Sequence, residues 1–555
     1  MPRQGPVVRH DGPSDLQRIV ESIGAAWTQL DGAVMRPPWL PALGDRQDLA
    51  DLARTAVAPA GSSELTALLG TADQPSAQRQ VPWFLDLGAT GHCLVFGTAG
   101  AGKTTLLRSL AVGLSLRLGP ADLHVYGIDM AGRGLASLEQ LPTCGGVAAA
   151  DEPERIERLF ALLEREVSER SNRMAGAGSL QEYRAQGGRL PYVVVLLDGF
   201  AAFSAAYSVI DGGALVEQLV RLIAMGRTVG VHFVMSADRR NSVSSSVSAS
   251  VSSRVVMRLA DPDEYSSFGL GMSLADATLP AGRAFADGGE EVQVAVCGPD
   301  PSGPGQAATI ARWATVLRQR AADQPVPVPV EPLPTRVHVS ELDAASGVPG
   351  GLTRVPLGRS GLTFGDATID LSENRVFMVV GPDRSGRSTA LATLATALAG
   401  LGGAEACLVA PRRSPLRDLT HWSKVASSDD EIAMLIDSVT NSTGPVVLVI
   451  DDGDELVDSS VDPALHALVR QARDRDVIVI AAVRSHVAHR VFGGWVGELR
   501  KAKHGILLQP EVDHDGDLLA VRLPRKASRT FPVGRGYLVA RGPLDYVQVA
   551  TALDD

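Results

Sequence analysis

The sequence has no Cys-x-x-Cys pair. Its four cysteines (Cys93, Cys144, Cys297, Cys407) stand far apart, which excludes a disulfide or zinc framework and suits a reducing compartment where thiols act as small buried hydrophobes. The histidines lack metal-ligand spacing, and no Ser/His/Asp or Cys/His arrangement is legible. Positive charge is also short, at a formal net charge of -11, which argues against bulk nucleic-acid binding, although a ring-shaped motor can hide a basic channel inside an acidic shell. Residues 1–11 contain no apolar h-region, so no secretory signal is present. One long apolar run occurs, Leu190 to Ile210, with a single charge in twenty-one residues. It begins Leu-Pro, is β-branched in its first half and carries Asp198 in its middle, and so reads as a buried parallel strand ending in a carboxylate rather than a membrane span. The protein reads as cytoplasmic.

With 45% hydrophobic and 21% charged residues over 555 positions, the chain is a globular protein too long for one core. Its most informative feature is a pair of phosphate-binding loops that begin 284 residues apart and carry complementary defects. The first, Gly97-Thr98-Ala99-Gly100-Ala101-Gly102-Lys103-Thr104, is an intact G-x-x-x-x-G-K-[ST] followed by Thr105. The second runs from Gly381 to Gly386-Arg387-Ser388-Thr389, with arginine in the place of lysine. In such a loop the backbone N–H groups and the helix N-terminus cradle phosphates, the lysine reaches the β- and γ-phosphates, and the hydroxyl ligates Mg²⁺. Each loop is answered by an apolar strand ending in aspartate, Asp198 and Asp451, where an NTPase places the carboxylate that orients Mg²⁺. Hydrolysis needs a further group to align the attacking water. Gly199 offers no side chain for this. Asp452 does, although its carboxylate is one methylene shorter than glutamate's.

Lys103, Asp198, Asp451 and Asp452 are therefore the candidate catalytic residues. Thr104, Asp198, Ser388 and Asp451 are the candidate Mg²⁺ ligands, and ATP is the expected nucleotide. Guanidinium is planar and bulky where ammonium is a compact point charge, so Arg387 is expected not to follow the lysine's path. The second loop either retains a nucleotide or is a vestigial structural loop. Intrinsic hydrolysis by either module is expected to be weak.

Organisation follows the same duplication. Residues 1–75 are rich in Gly, Pro and Ala, contain Pro37-Pro38-Trp39-Leu40-Pro41, and read as a leader packing on the first domain. Residues 76–322 alternate strand and helix around the first loop, 323–335 form a proline-rich semi-rigid spacer, and 336–555 repeat the pattern. The fold class is α/β: tandem RecA-like P-loop NTPase domains, each a mostly parallel sheet covered by helices on both faces. Expected strands include 123–129, 192–198, 231–236, 376–381 and 446–451, and expected helices include 103–118, 154–174, 387–400 and 463–473. Ser242–Ser253, with valines four apart, reads as a packed helix or loop, with a substrate-facing surface as the other reading. Arg227 reads as a contact to nucleotide or a neighbouring subunit, or as a surface salt bridge.

These residues resemble the FtsK/SpoIIIE class of P-loop motors, in which a segment like Gly226-Arg227-x-x-Gly230-Val-His232 follows the second carboxylate strand. Within that class the likeness is to the last two ATPase domains of EccC, the motor of actinobacterial type VII secretion. It is carried by Leu-Leu-Asp198-Gly199, Asp451-Asp452-Gly-Asp454, Arg254-Val-Val-Met-Arg258-Leu-Ala-Asp-Pro and Gly534-Arg535-Gly536. The resemblance implies an ATP-binding secretion motor subunit that docks small helical secreted proteins, partnered by a membrane-anchored ATPase or channel component at the inner face of the membrane. Assembly as a homo- or hetero-hexamer is implied as well. It also marks what is missing: transmembrane helices, a first ATPase domain and a basic DNA-guiding tail, so that the soluble half of a split motor is one expectation. The alternatives are a double-stranded DNA translocase and a non-hydrolysing nucleotide-sensing scaffold.

Overall fold

The computed structural model describes residues 12–30, 40–271, 279–344, 346–348, 351–372, 374–400, 403–472, 474–524, 531–540 and 544–552. Ten strands build the first sheet: β1 (Thr66–Gln74), β2 (Arg79–Asp86), β3 (Cys93–Phe96), β4 (Leu123–Asp129), β5 (Cys144–Ala149), β6 (Tyr192–Asp198), β7 (Val231–Ala237), β8 (Ser253–Met257), β9 (Arg283–Phe285) and β10 (Glu291–Val294). Their order is β2-β1-β10-β9-β8-β3-β7-β6-β4-β5. From β8 to β5 the pairing is parallel, and the rest is antiparallel.

The second sheet repeats the plan. It contains β11 (Ser346–Val348), β12 (Gly351–Ser360), β13 (Asp366–Ile369), β14 (Val376–Gly381), β15 (Glu405–Val409), β16 (Lys424–Ala426), β17 (Val446–Ile450), β18 (Val477–Arg484), β19 (Gly505–Leu508), β20 (Arg535–Val539) and β21 (Asp545–Val549). The order is β11-β12-β21-β20-β19-β14-β18-β17-β15-β16, with β13 paired to β12. The expected tandem of mostly parallel sheets is what the chain forms.

Sequence explains the central strands directly. β6, up to its final Asp198, and β17 are unbroken apolar runs, and every residue of both is buried, as strands covered on both faces require. The helices that cover them carry one apolar stripe each. Helix Pro153–Arg173 starts with proline at its first turn, where the missing N–H costs nothing, and buries Ile156, Leu159, Phe160, Leu163 and Val167. Helices Lys103–Arg117 and Arg387–Ala399 follow the two loops and are buried over most of their surface.

The border expected at residue 76 falls inside a hairpin. β1 is hydrogen-bonded to β10 on one side and β2 on the other, so it is a strand of the first sheet rather than part of a leader. The apolar residues of β1 sit at consecutive positions, which hid the period of two. The leader also holds a helix, Asp15–Gln29, capped by Ser14 with Gln17 in reciprocal hydrogen bonds; the Ser-x-x-Gln signal for it was present. Pro37, Pro38 and Trp39 lie outside the described residues. The valines of the serine-rich run, Val243, Val247 and Val251, are buried around a short helix, Ser245–Ser250, which favours the packing reading of that segment.

The proline-rich segment touches both modules. Val330 donates to the Gly145 carbonyl at 2.8 Å, while Arg535 donates to the carbonyls of Leu333 and Pro334 at 3.0 and 2.9 Å. Helix Pro153–Arg173 adds direct contacts: Glu154 pairs with Arg535 at 3.3 Å, Arg165 donates to the Thr363 carbonyl at 2.8 Å, and Arg158 lies over the Phe364 ring at 4.4 Å.

Candidate functional site

Parallel pairing puts the ends of β3, β7, β6 and β4 side by side, so the first loop, Asp198 and Asp129 meet at one edge of the sheet. The loop is anchored by later segments of the first module: Thr98 donates to the Arg258 carbonyl at 2.8 Å, and Gly282 donates to the Ala101 carbonyl at 2.8 Å. Lys103 folds back over it, with Nζ 2.6 Å from the Gly97 carbonyl, 3.2 Å from that of Thr98, and 2.8 Å from Asp238 Oδ1. The Thr104 hydroxyl donates to Asp198 Oδ2 at 2.6 Å. Asp198 is buried, and its other oxygen accepts from Ser236 Oγ, which in turn accepts from the Gly199 N–H. A hydroxyl and a carboxylate side by side are hard oxygen donors, the kind Mg²⁺ takes. Ala99, Gly100 and Thr105 complete the turn and the helix start, with Gly100 at φ +74.

The second loop copies this posture. Arg387 is expected not to follow the lysine's path to phosphates; over the loop itself its Nη1 reaches the carbonyls of Gly381 and Pro382 at 2.7 and 2.6 Å, the same pair of positions that Lys103 reaches. The fork leaves Nε buried with no hydrogen-bond partner. Its Nη2 faces two carboxylates, Asp383 at 3.6 Å and Asp452 at 3.7 Å. Ser388 Oγ lies 3.1 Å from both oxygens of Asp451, which also accepts from Ser414 at 2.6 Å. Gly386 starts the helix as Gly102 does, with Thr389 in its first turn.

One change weakens this cradle for an anion: Asp383 puts a carboxylate where the first loop has Ala99. Arg384 occupies the left-handed position of Gly100, at φ +62, a strain of about 1 kcal/mol for a residue with a Cβ. Asp452 also sits in the left-handed region, at φ +48. Burial, and then the charges of Asp451 and Asp454, push its carboxyl above the usual value.

Two site residues escaped the sequence reading. Asp238 follows β7, the strand between the loop strand and the Asp198 strand. Arg484 ends β18, the corresponding strand of the second module, and it pairs with Asp454 and, at 2.9 Å, with Glu455. The charge at this position is thus inverted between modules. The only signal in the sequence was placement at the end of a strand. Within the chain Arg227 neither reaches the loop nor forms the expected surface salt bridge. It precedes β7, at the opposite edge of the sheet from the loop, and donates to the Ala89 carbonyl at 2.8 Å. The cysteines are inert: burial pushes the thiols of Cys93, Cys144 and Cys297 up to about 12 and that of Cys407 to about 11.

Known proteins resemble this chain in sequence and fold. Residues 49–284 match the model of the FtsK/SpoIIIE family. The chain is similar to the ESX-4 secretion system protein EccC4 of Mycobacterium tuberculosis, 28% identical over 94% of this chain and 43% of that protein. It is also similar to the ESX secretion system protein EccC of Thermomonospora curvata, 26% identical over 86% of this chain and 38% of that protein. The chain therefore spans less than half the length of these curated relatives. Among solved structures it resembles ATPases 2 and 3 of Thermomonospora curvata EccC in complex with a signal sequence peptide, at a TM-score of 0.68 and 25% identity, over 93% of this chain and all of that one. The match to the FtsK/SpoIIIE family model implies nucleotide binding, and no helix among the described residues is long and apolar enough to cross a membrane.

Proposed function

We propose that this chain, which carries an FtsK/SpoIIIE-type ATPase domain and a second module of the same plan, is an ATP-binding motor subunit of an EccC-like type VII secretion system. It binds ATP at the first loop and couples that binding to docking and movement of small helical secreted proteins. The complete cradle of the first module carries this reading, on a fold shared along the chain with EccC ATPases 2 and 3. Gly97 to Thr105 hold the nucleotide. Thr104 and Asp198 hold Mg²⁺, which when bound neutralises charge on the β- and γ-phosphates.

The second module serves as a docking platform. Its loop keeps its shape while Asp383 and Asp452 occupy its arginine, so nucleotide binding there is weak or absent. The subunit works at the inner face of the cell membrane, against a membrane-anchored partner ATPase or channel component, in a ring.

Titration of the full chain with C-terminal peptides of small helical-hairpin proteins exported by the same cell tests this reading, and binding that requires residues 336–555 is expected. Failure of every such peptide, together with tight duplex-DNA binding that weakens steeply with salt, would instead establish a DNA translocase.

A further inference from the structure

Hydrolysis of ATP needs a group that holds the attacking water against the γ-phosphoryl, and the residue after the strand aspartate is glycine in the first module. The backbone there closes off the usual solution. Gly199 has φ +91, and a Cβ built on it would lie 3.3 Å from Met130 Cβ, so no side chain enters at this position without strain.

Three other carboxylates stand at the strand ends beside the loop. Asp129 is buried and already accepts from the N–H groups of Ala131, Gly132 and Leu135 at 3.0, 3.1 and 2.7 Å. Asp198 is buried with one oxygen on Thr104 and the other on Ser236. Asp238 differs from both. Its side chain is 68% exposed, and it meets Lys103 Nζ at 2.8 Å, the very ammonium that a P-loop lysine brings to the β- and γ-phosphates.

We infer that Asp238 is the water-aligning carboxylate of the first site, taking over from the end of β7 the task that Gly199 leaves vacant at the end of β6. A group in contact with Lys103 Nζ stands within about one water's reach of the γ-phosphoryl, and β7 lies between the strand of the loop and the strand of Asp198. Its exposure leaves the side chain free to turn from Lys103 to a water once phosphate oxygens claim the ammonium. In the reaction the water oxygen forms a bond to the γ-phosphorus while the bond from that phosphorus to the bridging oxygen breaks, its electron pair leaving on ADP. The water proton passes to the Asp238 carboxylate and from there to the released phosphate.

The second module agrees by contrast. The corresponding strand ends in Arg484, whose guanidinium is held by Asp454 and Glu455, and its loop is the one that lacks a lysine. The aligning carboxylate goes with the complete cradle.

This inference rests on the first loop being an ATP site, and the test separates the two claims. The full chain and its Asp238→Asn, Asp238→Glu and Lys103→Ala variants are compared by calorimetry with a non-hydrolysed ATP analogue and Mg²⁺, and by phosphate release from ATP. Asp238→Asn should bind the analogue as tightly as wild type or more tightly, because a competing negative charge is gone. Its phosphate release should fall by about 10²-fold or more, to the background set by Lys103→Ala, and Asp238→Glu should restore part of it. Asp238→Asn hydrolysing at or above the wild-type rate would overturn the inference and leave Asp238 a mere stand-in for phosphate. Tight binding by wild type with release no faster than Lys103→Ala would overturn it too. Absence of analogue binding by wild type would overturn the ATP site itself.

Discussion

Replacing Lys103 with alanine isolates nucleotide binding from folding. The ammonium makes three contacts, all within the site: two loop carbonyls and Asp238. The one ionic partner is largely solvent-exposed, and such a pair contributes about 1 kcal/mol or less to stability. For a domain of this size that is a shift in melting temperature of roughly 2–4 °C. The loss to ATP is larger, because hydrogen bonds to a charged group are each worth about 1.5–3 kcal/mol, or a factor of roughly 10 to 150 in dissociation constant, and the lysine serves two phosphates. Calorimetry with a non-hydrolysed analogue and Mg²⁺ should therefore show one site per chain in wild type and none in Lys103→Ala at the same concentrations, with nearly equal melting temperatures. Arg387→Ala should leave the wild-type isotherm as it is. Undiminished binding by Lys103→Ala would refute the site assignment, and a second, comparably tight site in wild type would refute the account of the second loop.

Turnover by the isolated chain, resting on Asp238 with no side chain at Gly199, should lie far below about 1 per second yet above that of Lys103→Ala, and turnover at or above about 1 per second would refute the expected weakness. Gly199→Glu, which would put a carboxylate after the strand aspartate, should lower stability through its left-handed backbone and the Met130 contact; a faster enzyme with unchanged melting temperature would contradict this. Deleting residues 336–555 should abolish partner binding and leave ATP affinity at Lys103 nearly unchanged, since the loop's own contacts all come from the first module. Acid should unfold the first module: burial holds His92 and His232 down at about 4 instead of 6.5, so their neutral forms are favoured in the fold. That stability is intact above pH 6.5 and lost as pH falls towards 4, by about 3 kcal/mol for each ring once both states are protonated, and a urea midpoint constant from pH 7.5 to 5 would refute it.

The central strands, the loop helices and the Asp198 and Asp451 positions were legible because burial on both faces writes itself as unbroken Val/Leu/Ile runs. The antiparallel edge was not. β1 carries Ala67, Leu68 and Leu69 in succession, and its partner β10 lies more than two hundred residues away. Asp238 was illegible for a related reason: its partner Lys103 is 135 residues distant, and an acid after a strand is ordinary. The contact of Arg387 with the carbonyls of Gly381 and Pro382 was not legible either, because residue chemistry alone does not place a guanidinium over its own loop.

Duplication followed by divergence accounts for the pattern better than decay of one copy. The scaffold is held in common: Gly282 and Gly534 each donate to their loop, and Arg283 and Arg535 each donate to a glutamine on the next strand, at 2.9 and 2.8 Å. A site that had merely lost its function would keep the old charges or scatter them. Here the charges are re-paired instead. The first module sets Lys103 against exposed Asp238, a contact phosphate can displace, whereas the second sets Arg387 against Asp383 and Asp452 and Arg484 against Asp454 and Glu455. Arg283 answers to Glu291 within its own module, but Arg535 reaches across to Glu154 on the first module's helix. The second copy has thus exchanged a lysine paired with one carboxylate for an arginine facing two, and turned a scaffold arginine toward its neighbour.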